Sequence, residues 1–578
     1  MGRIQPPSPA RDEMTAPAKN GKSGADYRRH ELLSCLSRSS HASHSKPGQV
    51  VTLASLSRRI PDGLVAESLA QLVKQASGAP VLLLRVIPGE ATLALGDCPA
   101  VLAQHREGFY FGTHLQGPVG GVDLLALHVG DAPLERNHIA SLLSHCSRHF
   151  QNVIVQMDAE VSPRLVGEFL NRAELPYVLF HQNTDCFYRF SVLLREMRAQ
   201  GKGTGLPVQP ILCLDEDELA RSGVDFANQL GCPVHATLHA LPGRSSTSDA
   251  GTSGNGAFNR GLRQLAREIG HSRIGLALSS GAAKGLAHVG VIQVLEENGV
   301  EVDMIAGCSM GSYVGALWAH GHDGKFLEEK ARELQGRFGL WKLIDPVLPP
   351  RQGFLRGVSV KNRLKQSIGD SHFADLARPL RVVATNFDTL ERVVFANGEV
   401  AAAVHASSAI PGVCVPVEID GETYMDGGIS DPLPVDVLKE AGIERIIAVN
   451  TIPTPAYLRC SREMEREQAT VKSSRYNLLK FINQQVNYFA RGNILDIMQS
   501  SILGAQIRNA EEACRQAHVV LRPLACDGSW HDFTHPEKYI ALGRRVTEEH
   551  LDEIKALLRR KEPAHENEPA HVSLAAAA

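Results

Sequence analysis

Residues 302–320 read V-D-M-I-A-G-C-S-M-G-S-Y-V-G-A-L-W-A-H, and the fold follows from how that stretch divides. The apolar run Val302 to Ala306 predicts a buried strand, and Ser312 to His320 predicts a helix. Between them stands Gly307-Cys308-Ser309-Met310-Gly311, the one G-x-S-x-G of the chain. A strand, a sharp turn and a helix in that order lift a serine Oγ clear of the backbone as a nucleophile. Gly307 and Gly311 suit such an elbow because it is strained and crowded by the neighbouring strand and helix. At average glycine and serine usage a chain this long holds on the order of a few tenths of one such pentapeptide by chance. The partners of Ser309 therefore decide the reading.

One partner lies upstream. Ile274 to Leu278 predicts a buried strand, followed by Ser279-Ser280-Gly281-Ala282-Ala283-Lys284-Gly285 and a helical run from Leu286 to Asn298. A loop of small residues at a helix start presents consecutive backbone N–H groups at the positive end of the helix dipole, where an anion can rest. In an acyl hydrolase that anion is the oxygen of the tetrahedral intermediate, and losing one such donor costs roughly 100- to 1,000-fold in rate. A nucleotide-phosphate loop and a plain βα turn compete with this reading. The Walker A pattern fails because Lys284 is followed by Gly285, and no G-x-G-x-x-G occurs at the turn. The other partner is Tyr424-Met425-Asp426-Gly427-Gly428, between a strand-like run, Val415 to Ile419, and Pro432. By itself Asp-Gly-Gly marks a turn.

Taken in order, S-G-A-A-K-G, G-C-S-M-G and D-G-G resemble the patatin-like phospholipase family. Leu286 to Val300, Val382 to Phe395 and Ala406 to Pro416 fit as well. The resemblance covers roughly residues 270 to 545 and is nearest to the bacterial branch related to neuropathy target esterase. It implies a Ser–Asp dyad without histidine: Ser309 as nucleophile, Asp426 as its base, and the amides of Gly281, Ala282 and Ala283 as oxyanion hole. Lys284, Gly285, Gly307, Gly311, Gly427 and Gly428 complete the motifs. Ser280 and Ala282 stand where the family commonly has glycine, and Cys308 where threonine is more usual. Small side chains leave the amides available, so tuning rather than loss is expected. Lys284 has two readings, a contact to a lipid phosphate or a cation bracing the loop.

A carboxylate with an unperturbed pKa near 4 is a feeble base for a serine hydroxyl. Burial beside the Oγ raises its basicity, while the oxyanion loop absorbs the developing charge. That chemistry predicts modest rates and dependence on a groove that excludes water.

Composition bounds the rest. The 578 residues, 43% apolar, suffice for two to four domains. A net charge of −3 gives no sign of nucleic-acid binding. The 11 cysteines are scattered and without C-x-x-C pairs, which predicts reduced thiols in a cytoplasmic setting. No apolar signal segment opens the chain, and no run of 18 apolar residues occurs, so lipid contact is expected to be peripheral, at the inner membrane surface. With 24 histidines there is still no H-E-x-x-H, no zinc spacing and no EF-hand loop, so neither a metal nor a cofactor is expected. His288 reads as a core residue rather than a catalyst.

The expected fold class is α/β: a patatin-like three-layer α/β/α hydrolase domain preceded by a second α/β, Rossmann-like domain. Residues 1–48 read as a disordered tail, 49–241 as an α/β domain of unknown role and 242–270 as a linker. Residues 271–545 read as the hydrolase domain with C-terminal helices, and 546–578 as a terminal helix and tail. Strand-like runs fall at Val81–Val86, Leu124–His128, Val153–Met157, Tyr177–His181, Ile211–Leu214 and Val234–Leu238. Ile139, Leu142, Leu143, Cys146 and Phe150 share one helix face. Pro453 to Lys472 reads as loop, and Tyr476 to Ala517 as helix.

Three functions remain open. One is a calcium-independent serine acyl hydrolase cleaving fatty acyl esters of phospholipid or lysophospholipid. Another is an α/β-hydrolase-type esterase with the triad Ser309, Asp426 and a later histidine such as His531, although an oxyanion loop only about 25 residues before the serine is unlike that fold. A non-catalytic lipid-binding scaffold is the third.

Overall fold

The computed structural model describes residues 47–88, 109–116, 122–129, 136–199, 208–214, 234–238, 256–335, 345–347, 349, 352–461, 463, 494–524 and 533–558. Two compact units divide the chain, Met1–Gln71 with Ala79–Ile211, and Leu72–Gly78 with Leu212–Ala578.

The N-terminal sheet uses β1 (Gln49–Ser55), β2 (Val81–Pro88), β3 (Phe109–Gln116), β4 (Asp123–Val129), β5 (Asn152–Met157), β6 (Leu175–His181), β7 (Gln209–Cys213) and β8 (Ala236–Leu238). Their order is β3-β4-β2-β5-β1-β6-β7-β8. The pairs β4–β2, β2–β5, β5–β1 and β1–β6 are parallel, and β3 joins β4 antiparallel. Helices α1 (Asp62–Ser77), α2 (Arg136–His149), α3 (Pro163–Leu170) and α4 (Thr184–Ala199) alternate with the strands, the α/β class that the sequence implies. The expected helix face is buried, with Ile139, Leu142, Leu143, Cys146 and Phe150 all in the core. β1 and β3 are strands beyond those expected. In β1, Thr52 and Ser55 break the apolar run, yet both are buried.

Helix α5 (Gly256–Ile269) occupies much of the stretch expected to be linker. Its glycine-rich N-terminus resembles linker composition, but Phe258, Leu262, Leu265, Ala266 and Ile269 lie on one buried face. Arg267 on that helix pairs with the buried Asp303 at 2.7 Å, and Asp303 also accepts the Ile274 N–H at 2.8 Å.

The second sheet is built on β9 (Ile274–Leu278), β10 (Met304–Cys308), β11 (Leu380–Asn386), β12 (Arg392–Phe395), β13 (Val417–Ile419), β14 (Glu422–Asp426), β15 (Arg445–Val449) and β16 (Val519–Leu521). Its order is β13-β14-β11-β10-β9-β15-β16, with β12 paired to β11. The five strands from β11 to β16 in that order run parallel, and β13, β14 and β12 add antiparallel pairs. β9, β10 and β15 are buried nearly throughout, as a parallel sheet covered on both faces requires. Helices α6 (Ala287–Glu297), α7 (Met310–His320), α8 (Gly324–Arg332), α9 (Val358–Ile368), α10 (Val400–Ser407) and α11 (Val435–Glu440) connect them. Gly321 ends α7 in the left-handed region at φ 117°, and Asp323 caps α8 by accepting the Phe326 N–H. Helices α12 (Ile494–Gln516), α13 (Pro536–Glu549) and α14 (Leu551–Leu558) follow.

Other expectations divide. Within the stretch expected to be loop, residues 455–461 are helical. The helical expectation for Tyr476–Ala517 holds over Ile494–Gln516, and its first part lies outside the described residues, as does the tail to residue 46. Cys146, Cys186, Cys213, Cys308, Cys414 and Cys514 are free thiols. Cys460 is disulfide-bonded, which departs from the expectation of reduced thiols throughout. Among the described residues no helix is long and apolar enough to cross a membrane.

Candidate functional site

Strand register brings the two chemical motifs together. Cys308 at the end of β10 pairs with Val383 on β11, and the next residue, Ala384, pairs with Asp426 at the end of β14. Ser309 follows directly, at φ 51° and ψ −119°, outside the regions that a serine normally occupies. That conformation is the sharp turn between β10 and α7. Gly311 has no room for a side chain, because a Cβ there would lie 2.6 Å from the Ser279 carbonyl oxygen. Gly307 is as close to the start of α7, at 2.7 Å from Ser312, and Gly427 lies 3.1 Å from the Cys308 Sγ by the same measure.

Ser309 Oγ donates to Asp426 Oδ2 at 2.7 Å, and the Gly428 N–H donates to Asp426 Oδ1 at 2.7 Å. Both side chains are buried, Ser309 at 5% and Asp426 at 5% exposure. Burial raises the Asp426 carboxyl to about 6, against the opposing pull of the Ser309 hydroxyl and the Gly428 N–H. A carboxylate so raised is a better proton acceptor at neutral pH than a free aspartate, yet it is still largely ionised there. No histidine hydrogen-bonds either group among the described residues, and His531 lies outside them.

The loop after β9 is tied down from behind. Ser279 N–H donates to Val449 and Ser280 N–H to Pro432. His288 Nε2 meets the Ser279 carbonyl at 2.9 Å, and Thr451 Oγ1 donates to the Ser280 carbonyl at 3.0 Å. Thr451 N–H in turn donates to Ser279 Oγ at 2.9 Å. A short 3-10 turn, Ala282–Leu286, then leads into α6, with Ala282 at φ 48°. The amides of Gly281, Ala282 and Ala283 donate to no acceptor among the described residues. Gly285 packs against the residue after Ser309, since a Cβ there would lie 2.6 Å from Met310 Cγ. The loop and the elbow are therefore in contact.

Lys284 is buried, and its ammonium lies 4.5 Å from the centre of the Tyr457 ring. Burial pulls its pKa down to about 8. The same cause pulls His288 down to about 4, so it is neutral at physiological pH and acts as a hydrogen-bonding core residue. Cys308 is driven well above the usual thiol range by burial and by the nearby Asp426 and Asp431 carboxylates, so it is no competing nucleophile. Among the described residues no group of three or more His, Cys, Asp or Glu side chains is placed to hold a metal ion.

The roles of some residues at this site are not legible in a single sequence. Thr385 Oγ1 donates to the Asp426 carbonyl at 3.0 Å, and Thr451 reaches the loop from the end of β15. Thr385 lies within Val382 to Phe395 and Ser407 within Ala406 to Pro416, but only the fold brings Thr385 to Asp426 and Ser407 to the elbow.

Residues 276–439 match the family described as patatin-like phospholipase. Over 178 residues the chain is 40% identical to an uncharacterized NTE family protein of Mycobacterium tuberculosis (strain ATCC 25618 / H37Rv), covering 31% of this chain and 49% of the other. Lysophospholipase NTE1 of Cryptococcus neoformans (strain JEC21 / ATCC MYA-565) is 32% identical over 188 residues, covering 32% of this chain and 12% of that one. Lysophospholipase nte1 of Aspergillus fumigatus (strain ATCC MYA-4609 / CBS 101355 / FGSC A1100 / Af293) is 33% identical over 199 residues, covering 34% and 13%. The chain thus spans about half the length of its mycobacterial relative and about an eighth of the fungal ones.

Proposed function

We propose that this chain, which carries a patatin-like phospholipase domain over residues 276–439, is a serine acyl hydrolase that releases fatty acid from phospholipid or lysophospholipid esters. The observation that carries the reading is the direct 2.7 Å hydrogen bond from Ser309 Oγ to the buried Asp426 carboxylate. The lysophospholipase names of the fungal relatives support the substrate class.

In the proposed mechanism Asp426 takes the Ser309 proton as Oγ attacks the acyl carbonyl. The amides of Gly281, Ala282 and Ala283 receive the oxyanion, a role supported by the pairing of the neighbouring loop groups to Val449, Pro432 and Thr451, which fixes the loop. Asp426 returns the proton to the leaving alcohol, and water activated by the same carboxylate then frees the fatty acid. The direct Ser–Asp bond favours a dyad over a triad completed by His531. The contact between Lys284 and Tyr457 favours a cation that braces the loop over one that holds a lipid phosphate. Calcium has no part in these steps. Peripheral contact with lipid at a cytoplasmic membrane surface belongs to the same proposal, because the substrate is delivered from an aggregate. The hydrolase domain is taken to run over 271–545.

Ser309→Ala and Asp426→Asn, each checked for folding by circular dichroism, test the assignment. Fatty-acid release is expected to fall at least 1,000-fold in both (about the loss on removing a nucleophile or its base). Release at the wild-type rate in a folded variant of either would sink the dyad.

A further inference from the structure

Three polar atoms converge on one flank of Gly428. A Cβ placed there would lie 2.6 Å from Gln506 Nε2, 2.9 Å from Asp426 Oδ1 and 3.1 Å from Ser280 Oγ. Ser280 is 7% exposed, while Gln506 is half-buried on α12. Neither side chain hydrogen-bonds any group among the described residues. Two polar side chains without partners among the described residues, one of them almost wholly buried, stand beside the carboxylate of the candidate dyad. Gln506 lies outside the 276–439 match, and Ser280 stands where the resemblance leads one to expect glycine.

We propose that Ser280 and Gln506 form a hydroxyl-binding subsite beside the Ser309–Asp426 pair. The inference rests on the acyl-hydrolase reading and specifies what that site accepts. A serine hydroxyl and a primary amide each donate and accept, whereas an ionised carboxylate oxygen only accepts. A hydroxyl meets all three, giving its proton to the carboxylate and its lone pairs to the amide and serine. An ester oxygen would turn lone pairs toward Asp426, and a phosphate would set a second negative charge beside it.

That hydroxyl has two sources. It is either the free glycerol hydroxyl of a lysolipid, next to the scissile ester, or the water that attacks the acyl-enzyme. In the second case the water oxygen bonds to the acyl carbon as its proton passes to Asp426. The carbon–Ser309 oxygen bond then breaks, and the serine oxygen recovers that proton.

Ser280→Ala and the near-isosteric Gln506→Met, made in the full chain, distinguish the sources. kcat/KM is measured on lysophosphatidylcholine and on diacyl phosphatidylcholine of one chain length, together with the pre-steady-state burst. A substrate hydroxyl predicts that the lysolipid-to-diacyl ratio falls about tenfold in each variant, because an unpaired polar site discriminates most against the wrong partner. A bound water predicts an unchanged ratio, kcat about tenfold lower on both substrates, and acyl-enzyme accumulating on Ser309. Folded variants that match the wild type in both ratio and burst overturn the subsite. Failure of the underlying reading shows differently: the wild type itself releases no fatty acid and forms no fluorophosphonate adduct at Ser309.

Discussion

Ser407 Oγ accepts the backbone N–H of Ser309 at 2.8 Å, joining the end of α10 to the turn between β10 and α7. The bond matters because Ser309 belongs to neither the β10 ladder nor the first turn of α7, and its amide is buried. Ser407 itself is fully buried. The strained turn is therefore held by a side chain 98 residues further along the chain.

Ser407→Ala leaves that amide unpaired, which costs about 1–3 kcal/mol. Chemical denaturation is expected to show the loss, and kcat is expected to fall with KM nearly unchanged. An unaltered midpoint and an unaltered kcat would mean that the turn does not need this support.

The pH profile follows from the raised carboxyl. In the proposed mechanism Asp426 takes a proton only when ionised, so kcat/KM is expected to rise through about pH 6 and level off above it. An acidic limb centred near pH 4 would show that burial does not perturb this group in solution.

Stability carries the opposite sign. The folded-state pKa of Asp426 lies above its unfolded value of 3.8, so the stabilisation it contributes is complete below pH 3.8 and lost as pH rises through about 6. Asp426→Asn carries no such titration. The stability of the variant relative to wild type is therefore expected to improve from pH 4 to pH 7, by on the order of 1–3 kcal/mol. Melting curves at the two pH values check it, and a constant difference would contradict it.

Thr451→Val keeps the shape of the side chain but removes the hydroxyl that donates to the Ser280 carbonyl. The amides of Gly281 to Ala283 lose part of their orientation rather than a donor. kcat is expected to drop about tenfold, less than the 100-fold or more for losing an oxyanion donor outright. Steady-state kinetics would count against this role if KM rose instead while kcat stayed level.

Fatty-acid release is expected to proceed at the same rate with a calcium chelator as without one. A rate restored only by added calcium would require a metal-assisted mechanism in place of the dyad.

Much of this was legible from residue order. Apolar runs beside glycine-rich turns announce β9, β10 and the elbow, because a buried parallel strand must be continuously apolar and a tight turn must be small. Asp426 was legible only through its motif, since Asp-Gly-Gly by itself is an ordinary turn. Helix α5 was missed because the glycines at its start resemble a linker, while its apolar face shows only at helical spacing.

Sequence alone therefore determined the α/β class, the sharp turn at Ser309 and the small-residue loop, all of which arise from local periodicity and backbone sterics. Tertiary structure alone decided that Ser309 and Asp426 lie within hydrogen-bonding reach, that Ser407 and Thr451 hold the turn and the loop, and that Gln506 stands beside Gly428. Those contacts join residues far apart in the chain through strand register and helix packing, and no local pattern in a sequence encodes such distances.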